Sequence, residues 1–189
     1  RSVAHYPTHI IRQLYQPPLA EWGITHLYLL SGSDRLAALV QWASMALSGV
    51  GASLLARELG AGRRGQIIAA VAAATLPMGI LQATSTQNDY VVSLWLTCAA
   101  FYTLTTARDG LTWKRVLGFG ASLGLAILTK GTAYFFGLPL AIWFAALLVR
   151  AAARRRDLRQ SAAYAATIVL LVVGLNAGHL ARNIRVFGT

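Results

Sequence analysis

The sequence contains very little charge, and most of that charge is positive. Only 12% of the 189 residues are charged, against about 25% in an ordinary soluble domain. Acidic residues number 6, against 17 lysines and arginines. A soluble fold of this length cannot bury a chain that is 56% hydrophobic, since much of its surface must face water. The composition therefore excludes an ordinary soluble domain.

Other absences exclude further classes of protein. The single cysteine, Cys98, excludes a disulfide scaffold, and the mean hydropathy of +0.54 excludes a disordered chain. The sequence has no glycine-rich nucleotide loop, no CxxC pair and no GxSxG nucleophile elbow. The class that remains is a polytopic membrane protein.

Six long apolar runs follow one another along the chain. Each is close to the ~17–25 residues that a helix needs to cross a bilayer. Their interiors hold almost no charged residues. This fits a membrane helix, because each charged residue at the bilayer centre would cost at least ~2.5 kcal/mol. The runs cover residues 36–56, 66–83, 90–107, 113–129, 133–149 and 161–178. The sequence therefore predicts an all-α fold, a polytopic transmembrane bundle of about six spans.

The charged residues lie in the breaks between these runs and favour one side of the membrane. That side collects eleven of the 17 basic residues: Arg57, Arg63, Arg64, Arg108, Lys114, Arg115, Arg150, Arg154, Arg155, Arg156 and Arg159. The positive-inside rule places it in the cytoplasm, so both chain ends face outward. Basic residues in short loops between spans also argue against a nucleic-acid partner, which would need them clustered on one soluble face.

The pattern divides the chain into three parts. Residues 1–34 form an outer-face juxtamembrane segment, in which Pro17 to Leu30 predicts a short helix lying in the membrane interface. Asp34 or Ser33 is expected to cap the first span. Residues 35–181 are the six-span region, and residues 182–189 begin a further outer segment. Because no span or signal precedes the outward-facing start, we expect an internal piece of a larger membrane protein.

Asp89 is the acid of the outer turn between the second and third runs, in the sequence Thr86-Gln87-Asn88-Asp89-Tyr90. In one interpretation, Asn88 or Asp89 caps the helix that follows and satisfies its first amides. In the other, Asp89 acts as a base or binds a metal or a polar substrate. Both interpretations stay open at this point.

Lys130 ends a short apolar run and is the only Lys or Arg between Arg115 and Arg150. Its ammonium either snorkels to the membrane interface or binds the phosphate of a lipid-type substrate. Arg12, before the prolines, and Arg182, after the last run, are further cations on the predicted outer side. Anchoring to lipid headgroups is their alternative role.

Four short motifs in order resemble the landmarks of a known family. They are Gln16-Pro17-Pro18-Leu19 with Trp22, Thr75-Leu76-Pro77 with Ser85-Thr86-Gln87-Asn88-Asp89, Gly124-Leu125-Ala126-Ile127-Leu128-Thr129-Lys130-Gly131, and Arg182-Asn183 with Phe187-Gly188. Together they resemble the GT-C glycosyltransferases, and most closely the bacterial relatives of the protein mannosyltransferases and of the lipid A aminoarabinose transferase. The resemblance covers nearly the whole chain.

The resemblance implies an integral enzyme of a bacterial plasma membrane. Such an enzyme moves a sugar from a polyprenyl-phosphate carrier to a hydroxyl of a lipid, glycan or protein acceptor at the non-cytoplasmic face. It also implies a main catalytic acid in the first outer loop, upstream of Arg1. Gln16 stands where many relatives have a Lys or His, so the resemblance does not imply a phosphate-binding role for this position.

Roles for the candidate residues follow from this resemblance. Lys130, Arg12 and Arg182 are expected to bind the carrier phosphate. Asp89 is the candidate catalytic carboxylate within the chain, and it would organise the site or a divalent metal rather than act as the sole base. The resemblance leaves metal dependence open, because relatives with and without a metal exist.

Two other functions stay open as alternatives, a transporter or channel module and a structural membrane subunit. Transporters usually place ionisable residues at mid-membrane on broken helices and show repeats between their halves. The apolar runs here are uncharged inside, and no repeat is visible.

Overall fold

The structure, a computed structural model, describes residues 8–155 and 157–188, with the side chains of residues 12, 13 and 155 left aside. All regular structure in these ranges is helical, which confirms the predicted all-α class. The helices are α1 Ile11–Tyr15, α2 Leu19–Ser31, α3 Leu39–Glu58, α4 Arg63–Ala74, α5 Pro77–Ala83, α6 Asp89–Asp109, α7 Trp113–Thr129, α8 Thr132–Arg155 and α9 Leu158–Phe187.

Four of the described helices are long and apolar enough to cross a membrane, namely α3, α6, α8 and α9. The second apolar run of the sequence is not one straight span, because α4 and α5 meet at an angle of 63°. Pro77 is the first residue of α5. Proline lacks the amide that would continue α4 and disfavours helical backbone in the residue before it, which accounts for the break. The bent pair is either a broken fifth span or a re-entrant loop.

The remaining run forms α7, which has 17 residues and rises only about 26 Å. Ion pairs nevertheless join it to both ends of α6. Lys130 Nζ lies 2.5 Å from Asp89 Oδ1, and Arg115 Nη2 lies 2.8 Å from Asp109 Oδ2. Helix α7 therefore runs antiparallel to α6 from one end to the other. The predicted alternation of membrane crossings along the whole chain stays a prediction.

Helix α7 is short and lies at the centre of the bundle, packed between α6, α8 and α9. Its Phe119 ring stacks on Phe144 of α8 with ring centroids 4.1 Å apart. Toward α9, a Cβ on Gly120 would lie 3.2 Å from Ile168 Cα, and one on Gly124 would lie 3.3 Å from Val172 Cα. These glycines therefore allow α7 and α9 to approach each other closely.

The bundle has two chemically different ends. At the basic end, Arg108 Nη1 of α6 contacts Glu58 Oε2 of α3 at 2.5 Å, and Arg108 Nε also pairs with Asp109. We call the opposite end, where α6 begins and α7 ends, the Lys130 end.

Helix α9 continues past residue 181 to Phe187 without a break, and the predicted division into three parts stays a prediction.

The segment before the bundle contains the predicted short helix, which the structure places at Leu19–Ser31. The residue after it, Gly32, caps the helix with a φ of 69°, the left-handed conformation that glycine adopts readily. The position of this helix in the membrane interface stays a prediction. The expected cap by Asp34 or Ser33 is wrong, because α3 begins only at Leu39, after a turn in which the Asp34 carbonyl accepts from the Ala37 amide.

Candidate functional site

A cavity of about 590 Å³ lies at the Lys130 end of the bundle. This volume is within the range of pockets that hold small-molecule ligands. Its wall combines the residues before α2, the residue before α6, the α7–α8 turn and the second half of α9. The polar residues that line it are Tyr15, Gln16, Asn88, Thr129, Lys130, Thr132, Tyr134, Asn176, His179 and Asn183. Lys130 is therefore the predicted site residue that the structure places in the wall of the cavity.

The Lys130 side chain is held in place by Asp89. Lys130 leaves α7 in extended backbone conformation, and its ammonium reaches across to the first turn of α6. Both side chains are about one third exposed, at 31% for Lys130 and 34% for Asp89. A lysine ammonium has three N–H donors, and the bond to Asp89 uses one of them. The pair therefore presents a fixed cation, with hydrogen-bonding capacity left, at the cavity wall.

The start of α6 is capped by a residue from another helix. Gln41 of α3 is 1% exposed, and its Oε1 accepts from the amides of Tyr90 (3.0 Å) and Val91 (3.3 Å). Asn88 occupies the N-cap position without a capping bond, and its Nδ2 donates to Glu21 Oε1 of α2 at 3.3 Å. The interpretation that Asn88 or Asp89 caps α6 is therefore wrong. Gln41 satisfies the amides, and the Asp89 carboxylate reaches Lys130.

We expect Gln41→Leu to lower the free energy of unfolding by about 1–3 kcal/mol, because two buried amides lose their acceptor. Chemical unfolding in lipid nanodiscs measures this loss. Gln87→Leu is the matched control, since Gln87 is exposed, and it should change stability by less than about 0.5 kcal/mol. Equal stability of the two variants would show that Gln41 does not hold the start of α6.

Three polar side chains of α9 share the cavity. His179 and Asn183 follow Asn176 by three and seven residues, which places all three on one face of the helix. Asn176 Nδ2 donates to the Gly124 carbonyl of α7 at 3.0 Å and to the Val172 carbonyl at 2.8 Å. Asn183 Nδ2 lies 3.2 Å from His179 Nε2. Sequence reasoning missed Asn176, although an amide inside an apolar run is itself a signal of function or packing.

The two predicted arginines are placed differently from Lys130. The Arg182 guanidinium lies over the Trp22 ring, 5.6 Å from its centroid, in a cation–π contact that joins α9 to α2. Arg182 is not one of the described residues that line the cavity. The Arg12 side chain lies outside the part of the chain that the structure describes. Phosphate binding by either arginine stays a prediction.

Metal ligands are not grouped in the described residues. Within residues 8–155 and 157–188, no cluster of three or more His, Cys, Asp or Glu side chains could hold a metal ion. At the cavity, the charged partner of the Asp89 carboxylate is the Lys130 ammonium.

A second cavity, of about 290 Å³, lies at the basic end. Its wall includes Arg150, Arg154 and Tyr164. It holds none of the site residues that the sequence predicted, so the cavity at the Lys130 end is the candidate functional site.

Comparison with known proteins identifies the family. The family model described as dolichyl-phosphate-mannose-protein mannosyltransferase matches residues 15–177. No curated protein and no solved structure matches the chain. The matched range contains α2 to α8 and two thirds of α9, and with them Asp89, Lys130 and Asn176. The chain therefore belongs to the dolichyl-phosphate-mannose-protein mannosyltransferase family, whose members are membrane glycosyltransferases of the GT-C type.

Proposed function

We propose that this protein moves a sugar from a polyprenyl-phosphate carrier to an acceptor hydroxyl, and that the carrier phosphate binds at Lys130. The observation that carries the proposal is the fixed ammonium of Lys130 in the wall of a 590 Å³ cavity. The cavity lies at one end of an apolar bundle, where a lipid carrier can place its phosphate while its tail stays in the hydrocarbon layer.

The proposed chemistry follows from the charges involved. In the transfer, the bond between the anomeric carbon and the phosphate oxygen breaks, and the acceptor oxygen bonds to the same carbon. The proton of the acceptor hydroxyl passes to a carboxylate acting as general base. Negative charge develops on the departing phosphate, and a preorganised cation stabilises it. Lys130 takes this second role, and Asp89 is a positioning residue that holds the ammonium.

The proposed side of the membrane is the non-cytoplasmic one, in the plasma membrane of a bacterium. The densely basic loops belong to the other end of the bundle, and such loops favour the cytoplasm. Helix α2, beside the cavity, exposes large aromatic and apolar side chains, among them Trp22, Tyr28 and Leu30. Such side chains suit the headgroup layer, where the phosphate of a lipid carrier lies.

Transfer from a defined donor tests the proposal. The protein in sealed lipid vesicles receives polyprenyl-phosphate mannose with a labelled sugar, together with a membrane extract as acceptor source. We expect label to leave the carrier and appear covalently on acceptor, with one polyprenyl phosphate released per sugar. Movement of label across the vesicle wall on an intact carrier, without release of polyprenyl phosphate, would instead establish the transporter alternative.

A further inference from the structure

The amide of Asn176 has one end whose partner is missing from the described structure. Its nitrogen donates to two backbone carbonyls, Gly124 and Val172. Carbonyl oxygens accept and never donate, so these two bonds decide which end of the amide is nitrogen. The other end, Oδ1, is buried and has no hydrogen-bond partner among the described residues. The residue itself is 4% exposed and lines the cavity.

Asn183 repeats this feature two helical turns further along α9. Its Nδ2 contacts His179 Nε2, while its Oδ1 is buried without a partner in the described part of the chain. Buried acceptors in proteins are nearly always paired, and an unpaired one at a cavity wall calls for a donor from outside the chain. Asn176 and Asn183 both line the cavity, and an occupant that donates hydrogen bonds would supply the partner that Asn176 Oδ1 lacks.

The chemistry of the carrier decides which part of it can meet these acceptors. A polyprenyl tail has no polar hydrogen, and an ionised phosphate diester accepts hydrogen bonds and would repel an amide oxygen. Sugar hydroxyls donate as well as accept. Of the three parts of the donor, the sugar is therefore the one that can satisfy Asn176 Oδ1.

The two proposed contacts lie at different depths in the bundle. Asn176 is bonded to Gly124, which precedes Lys130 by six residues of α7, a rise of about 9 Å. A phosphate at Lys130 and a sugar hydroxyl at Asn176 would therefore occupy separate parts of one cavity. We propose that Asn176, supported by Asn183, recognises a hydroxyl of the sugar on the carrier. This rests on the proposed function, which places the carrier in this cavity.

The contribution of the sugar can be measured separately from that of the phosphate. The protein in nanodiscs is titrated with polyprenyl phosphate, and then with the same carrier bearing mannose or glucose. No acceptor is present. We expect a sugar-bearing carrier to bind wild type about tenfold more tightly than the bare carrier, the worth of one well-made hydrogen bond in a buried site. Asn176→Ala should reduce this ratio to about one.

A packing variant separates recognition from structure, because Asn176 also joins α9 to α7. Gly120→Ala disturbs the same contact between α7 and α9, because the added Cβ would press on Ile168 and Leu171 of α9. Neither of these residues lines the cavity. The variant should keep the tenfold ratio. Monodeoxy sugars give a second readout that folding does not move. Wild type should bind the carrier about tenfold more weakly when the hydroxyl that contacts Asn176 is removed from the sugar. Asn176→Ala should bind that deoxy carrier as tightly as it binds the carrier with the complete sugar.

The outcomes distinguish the two proposals. If binding of bare polyprenyl phosphate does not depend on Lys130, the proposed function fails. Suppose that it does depend on Lys130, but that wild type binds the sugar-bearing and the bare carrier equally tightly, or that Asn176→Ala keeps the tenfold difference. The sugar contact is then overturned, and the phosphate contact stands. A ratio that appears only after acceptor is added would assign Asn176 to the acceptor, which also overturns the inference.

Discussion

Replacing Lys130 with glutamine should lower sugar transfer by about 10²–10³-fold, the usual cost of removing one group that stabilises developing charge. Glutamine keeps the length and polarity of the side chain and removes the positive charge opposite the departing phosphate. The protein should stay folded, because a partly exposed ion pair contributes at most about 1 kcal/mol to stability. The rate of transfer from polyprenyl-phosphate mannose, measured in nanodiscs at saturating donor, gives the effect.

A matched control stands at the opposite end of the same helix. Lys114 is exposed in the first turn of α7, at the basic end, and Lys114→Gln should keep full activity. Lys130→Arg retains the charge with a different geometry and should recover part of the lost rate. Full activity of Lys130→Gln would show that no phosphate depends on this ammonium.

The path of the chain could be predicted because it depends on local composition. Apolar runs and the charges between them indicated the helices and their alternation, and five runs correspond to spans or to the short helix α7. The sequence run 66–83 was predicted as one span, although Pro77 interrupts it. Here the backbone chemistry of a single residue outweighed the hydropathy of the whole run.

The Asp89–Lys130 contact was only half predictable. Alternation of the spans placed both residues on the same side, so their proximity was a matter of topology. The ion pair itself depends on α6 and α7 packing side by side along their length, which brings together residues 41 positions apart in sequence. No periodicity of the sequence specifies that pairing.

Gln41 and Asn176 were missed for a different reason. Each lies inside an apolar run and bonds to backbone groups of another helix: Gln41 to the amides that begin α6, and Asn176 to Gly124 of α7. Backbone donors and acceptors carry no sequence signature, so the partner of a buried amide cannot be identified from the pattern. The amide itself was the available signal, because a polar side chain in a membrane span is costly unless it is bonded.

The role of Asp89 can be decided by combining its variant with that of Lys130. We expect Asp89→Asn alone to lower transfer by about 10- to 100-fold, because an ammonium displaced by even 1 Å loses much of its effect on the phosphate. In the Lys130→Gln background the same change should cost almost nothing further, since a positioning residue acts through the group that it positions. Transfer rates of the four proteins, measured across pH, complete the cycle.

The basic end of the bundle supplies the matched control for this cycle. Asp109 pairs with Arg115 across the same two helices as Asp89 with Lys130. Asp109→Asn therefore removes a comparable bond between α6 and α7 far from the cavity, and it should leave transfer unchanged. If instead the losses of Asp89→Asn and Lys130→Gln multiply, and wild type loses rate at acid pH while Asp89→Asn does not, Asp89 accepts the proton itself. An additive cycle of that kind would make the carboxylate a catalytic base, whereas a fully coupled one makes the pair a single phosphate-binding unit.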